Sequence, residues 1–165
     1  MKELFPPAVT GRVVRAFSAL AFVLLLSTAS AIAQDTPQEE VPAPIFQEMM
    51  IKSALMTFND ANITGNYTVL QESLAKPFRD QYSADKLKEV FKPFADNHIF
   101  INAIVVAKPV LTEPARIDER GALLLHGYFD VSEVSRVTFA LDYLISEGVW
   151  KVINIQVKVG KPGAN

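Results

Sequence analysis

Four side chains in the C-terminal half have the types that carry acid–base chemistry. His126 and Asp142 can each take up a proton, and Tyr128 and Asn154 can each donate a hydrogen bond to a developing oxyanion. His126 and Tyr128 lie two residues apart, so on a strand they share a face. Each of the four also has a plainer use. A lone histidine in a strand commonly stands at an edge, and Tyr128 and Tyr143 suit a sheet that packs the ring and leaves the hydroxyl wet. Asp142 can pair with a neighbouring Lys or Arg, and Asn154 can tie down a loop. No pair of carboxylates, no Ser/His/Asp set and no Gly-rich phosphate loop accompanies them. With two histidines and no cysteine in 165 residues, a zinc site of three or four ligands is not expected. No cofactor is expected either, and a non-catalytic domain is favoured over an enzyme.

The N-terminus points to export. Lys2, Arg12 and Arg15 precede an apolar run at 16–26, and Ala31-Ile32-Ala33 fits a signal-peptidase site before Gln34. The run is shorter than the roughly 20 residues that span a bilayer. A periplasmic or secreted domain with no membrane attachment after cleavage is expected. Sixteen basic and eighteen acidic residues, less Lys2, Arg12, Arg15 and Glu3, leave thirteen and seventeen, a net charge of −4. That balance has no footprint for nucleic acid. The absence of cysteine leaves the fold to its apolar core, disulfides being the usual alternative in exported domains. Residues 34–44 read as a tether and 160–165 as a disordered tail, so the domain proper is expected over 45–159.

Helical spacing of Met50, Ile51, Ala54, Leu55 and Phe58 predicts a first helix over 45–61, with Glu48, Lys52 and Asn59 on its far side and Gly65 as its stop. Met49, Met50 and Met56 read as core filling or as an adaptable pocket lining. Thr68 and Gln71 form a capping-box pair for a second helix that Pro77 ends. Ser83 caps a third, which carries Leu87, Val90, Phe91 and Phe94. Asn62-Ile63-Thr64 and Asn66-Tyr67-Thr68 match the glycosylation triplet, which has little meaning in a bacterial export context. From residue 98 the period shortens, and strands are expected over 99–110, 122–131, 134–145 and 149–159, with turns at 118–121 and 146–148. Helices followed by four antiparallel strands make an α+β domain.

Strict alternation puts Trp150, Val152, Asn154 and Gln156 on one face of the last strand and Val149, Ile153, Ile155, Val157 and Val159 on the other. Both faces of the predicted sheet are then substantially apolar. The helices shelter one. The other calls for a cover, and a second copy of the chain through Ile153, Ile155 and Val157 is the economical one.

The chain resembles the NTF2-like (cystatin-like) superfamily across 45–159. The likeness rests on the opening helix with Gly65-Asn66-Tyr67 and a short second helix, on the segment Pro77-Phe78-Arg79-Asp80-Gln81-Tyr82-Ser83 leading to Leu87 and Phe91, and on the closing Gly148-Val149-Trp150-Lys151-Val152. The resemblance implies N-terminal helices packed on a curved, mainly antiparallel sheet, a pocket between helices and sheet for a small apolar ligand or a protein partner, and frequent dimerisation through the opposite face. His126, Tyr128, Asp142, Asn154 and Trp150 would line that pocket. The family's isomerase- and dehydratase-like enzymes would place Asp142 or His126 inside it as base. A purely structural assembly role would leave the pocket filled.

Overall fold

The structure is a computed structural model and describes residues 40–163. The expected signal segment, its expected cleavage site and most of the expected tether lie outside these residues. The fold is α+β: four helices, α1 (Pro44–Thr64), α2 (Thr68–Ser73), α3 (Lys76–Arg79) and α4 (Ala84–Asp96), precede five strands. Two of these are very short, β1 (Val110–Leu111) and β2 (Arg116–Ile117); the others are β3 (Leu123–Ser132), β4 (Ser135–Ser146) and β5 (Val149–Gly160). The order is β1-β3-β4-β5, with β2 also on β3, and all pairings are antiparallel. Among the described residues no helix is long and apolar enough to cross a membrane.

Local chemistry sets the element ends. Gly65 closes α1 at φ 68°, a left-handed position that costs glycine nothing, and its N–H donates to the Ala61 carbonyl. Ser83 accepts from Lys86 N–H to cap α4. Glu147 and Gly148, at φ 56° and 80°, form the two-residue turn between β4 and β5, a geometry that follows the natural twist of a hairpin. The Thr68–Gln71 capping box does not form. Asn66 instead accepts the Thr68 N–H at 3.1 Å, and Thr68 makes no side-chain cap. Pro77 does not merely end a helix; its fixed φ starts α3.

One face of β3 and β4 is fully apolar. Leu123, Leu125, Phe129, Val137, Phe139, Leu141 and Tyr143 are buried there against Ile51, Leu55 and Phe58 of α1. Phe91 and Phe94 of α4 meet Phe58 edge-on, with ring centroids 5.0 and 5.1 Å away, the arrangement aromatic quadrupoles favour. Met50 and Met56 pack against this core, while Met49 is exposed.

Two expectations need correction here. Asn59 is not on the solvent side of α1 but 1% exposed. Its carbonyl oxygen accepts the Ile101 N–H at 2.8 Å and its amide donates to Asn102. That bond holds the chain after α4 down on α1, so 99–110 is no strand. It makes a 3-10 turn over Asn102–Val105 and reaches the sheet only at Val110.

The second correction concerns β5. Asp142 pairs with Asn154, yet Tyr143 pairs with Val152, so Ile153 is an extra residue. This β-bulge reverses the alternation. Trp150, Val152, Ile155 and Val157 all pack with the core, and Ile153, the bulged residue, borders the groove between helices and sheet. Of the expected interface residues, Ile155 and Val157 therefore stand on the helix side, and Ile153 is the unpaired residue of the bulge. The outer face presents Lys151, Asn154, Gln156 and Lys158 from β5, beside Thr138, Ala140 and Asp142 of β4. The second apolar face that motivated a twin subunit is polar along its middle.

Candidate functional site

Register brings three of the expected site residues together. His126 and Asp142 lie diagonally across β3 and β4, since His126 pairs with Ala140 and Leu124 with Asp142. The His126 Nε2 is 2.7 Å from Asp142 Oδ1, and Asn154 Nδ2 donates to Asp142 Oδ2 at 3.0 Å. Glu113, on the loop before β2, places Oε1 3.3 Å from His126 Nδ1. Tyr128 is farther along the same face, with the Arg136 guanidinium 3.6 Å above its ring. Asp130 chelates that guanidinium, which lowers the Asp130 pKa.

This cluster is on the outer face of the sheet, away from the helices. Both ring nitrogens of His126 face carboxylates, Asp142 at 2.7 Å and Glu113 at 3.3 Å. Among the described residues no group of three His, Cys, Asp or Glu side chains is placed to hold a metal. The arrangement is a satisfied polar network, and Trp150 is not part of it. Trp150 lines a cleft of about 310 Å³ with Met49, Met50 and Val149, between the start of α1 and the β4–β5 turn.

The cavity between helices and sheet is elsewhere. Leu70 and Leu74 of α2, Phe78 of α3, Phe91 of α4, and Ile153 and Ile155 of β5 line a groove of about 190 Å³. Its position follows from local structure. The Ala75 N–H donates to the Val152 carbonyl at 2.8 Å, pinning the α2–α3 link to the start of β5. Just past that pin, the bulge places Ile153 at the groove wall. α4 closes the far wall through Leu87 and Val90. Tyr82 and Asn154 bring polar atoms to an otherwise apolar lining, and the Lys86 ammonium is 4.8 Å from the Tyr82 ring centre.

Of the residues expected to line a pocket, only Asn154 borders this groove. Its other members were visible in the sequence as the helical stripe of Leu87, Val90 and Phe91 and the segment around Phe78 and Tyr82. They read there as core because strict alternation passes over the bulge beside them, whose one trace is the shift of polar positions from Lys151 to Asn154, Gln156 and Lys158. No family model, no curated protein and no solved structure matches the chain.

Proposed function

We propose that this chain is an exported, non-catalytic binding module of NTF2-like type, and that the groove between α2–α4 and β5 takes an apolar group. One observation carries the reading: the apolar groove lies where helices and sheet part, while the acid–base residues are on the opposite face. That placement gives the isomerase-like alternative no base in the groove. Export rests on the N-terminal charge, apolar run and Ala-x-Ala site. The NTF2-like assignment is supported by the helices-then-sheet order and by α1 packed on the sheet.

Size narrows the ligand. Drug-sized pockets run from about 300 to 1,000 Å³, so about 190 Å³ suits one aromatic or branched aliphatic group. Burying such a group contributes about 1.5–3 kcal/mol, short of the roughly 4 kcal/mol that a millimolar dissociation constant requires. The groove therefore acts as the anchor point of a larger contact.

Nuclear magnetic resonance titration of the full chain with indole and toluene tests this. Shifts should appear at Leu74, Phe91 and Ile155 and vanish in Val90→Trp, where an exposed α4 residue at the rim becomes a plug. Shifts that persist in that variant, or arise only on the outer face, would sink the assignment.

A further inference from the structure

Beside the groove runs a free strand edge. β5 is the last strand of the sheet and is long at 12 residues. Among the described residues only its start is covered, where Ala75 N–H meets the Val152 carbonyl and Leu74 bridges Val152 in the parallel sense. Val152 thus points its backbone groups away from β4. Tyr143, Leu141, Phe139 and Val137 pair in turn with Val152, Ile155, Val157 and Val159, and such groups alternate sides along an antiparallel ladder. The backbone N–H and C=O groups of Ile155, Val157 and Val159 therefore face the open edge.

Proteins usually blunt such edges with proline, charges or short strands. β5 has no proline, and the side chains of Ile155 and Val157 continue the wall of the groove along the helix side. Its charged residues are all basic. Lys151 and Lys158 lie within it, Lys161 follows, and the strand holds no acidic residue. A second copy of β5 laid antiparallel about Val157 would set each Lys158 opposite Gln156 and the two Lys158 side chains diagonally across one face, with no acidic residue between them, so the strand offers its own copy no charge partner.

We propose that the β5 edge from Asn154 to Val159 receives an extended segment of another protein as an added strand. The segment has alternating apolar residues that enter the groove and acidic residues that meet Lys158 and Lys161. Strand addition supplies main-chain hydrogen bonds while a pocket reads alternate side chains. Only an extended backbone presents donors and acceptors at the spacing this edge offers. The proposal rests on the groove as binding site and names its partner.

The test titrates the full chain with a short acetylated peptide of alternating valine and threonine flanked by aspartates. Amide shifts should cluster at residues 153–159 and along α4. N-methylation of the peptide amides that face β5 should weaken binding about tenfold or more, while N-methylation of the intervening amides should not. Val157→Pro removes an edge donor where proline is tolerated and should weaken binding similarly in protein that circular dichroism shows to be folded. Lys158→Glu should weaken it most at low salt. Binding indifferent to N-methylation, or no binding, overturns the proposal even if Val157→Pro fails to fold. If indole still binds and Val90→Trp still blocks it, the groove stands and the strand partner falls. If indole also fails, both fall.

Discussion

Replacing Asn59 with alanine tests the contact that decides the path of the chain between the helices and the sheet. Asn59 is 1% exposed and Ile101, whose N–H it accepts at 2.8 Å, is 2% exposed. In the alanine variant that N–H keeps its burial and loses its acceptor, which costs about 1–3 kcal/mol. The removed amide atoms leave a small void that adds up to about 1 kcal/mol. A total of about 1–4 kcal/mol is expected, within the 5–15 kcal/mol that a domain of this kind has to lose. Asn102→Ala is the control, because it leaves the Ile101 bond in place and removes only the acceptor of the Asn59 amide; with Asn102 itself exposed, water can replace that acceptor, and the cost should be about 1 kcal/mol or less. Urea unfolding followed by circular dichroism reads both, and an unchanged slope shows that the denatured state is unaltered. Amide hydrogen exchange gives a second readout: Ile101 should lose protection in Asn59→Ala and keep it in Asn102→Ala. A loss below about 0.5 kcal/mol for Asn59→Ala, or equal losses for the two variants, would refute the claim that one buried carboxamide fixes this segment.

Gly127→Ala should destabilise by about 1–3 kcal/mol in the same assay, since a Cβ there would meet the Val110 carbonyl oxygen at 2.2 Å and β1 or β3 must shift; near-neutrality would mean that β1 is not held. The Arg79 guanidinium lies 3.1 and 3.2 Å from the Glu147 carboxylate and holds the Glu147 pKa below its ordinary 4.5. A carboxylate lowered in the native state stabilises the fold above its ordinary value, and that contribution drains away as pH falls through the lower native one. Arg79→Met should therefore cost stability at pH 7 and less as pH drops below about 4.5; an equal cost at pH 3 would show that the loss is packing and not charge. Ala140 pairs with His126 and Gln156 at the middle of the outer face. Light scattering of the full chain should give one mass for wild type and Ala140→Arg, and a mass halved by the substitution would restore the back-to-back dimer.

Much of this fold was set by residues acting on their neighbours. Gly65 stops α1, Ser83 starts α4, and Glu147-Gly148 turns β4 into β5, because each satisfies or bends backbone within a few residues. The change from helical to strand periodicity near residue 98 likewise foretold helices before a sheet. What needed tertiary structure were the contacts between distant positions. Asn59 looked solvent-facing until Ile101 came to meet it, 42 residues on. The pairing of His126 with Asp142 depends on strand register, which neither residue specifies. The bulge at Ile153 was hidden because strict alternation was carried through the whole strand; its one trace is the change of phase of the polar positions, from Lys151 to Asn154, Gln156 and Lys158. One inserted residue moved Ile155 and Val157 to the helix side, put Asn154 beside Asp142, and opened the groove next to a free edge. Local chemistry decided which elements form, and packing between them decided which face each side chain serves.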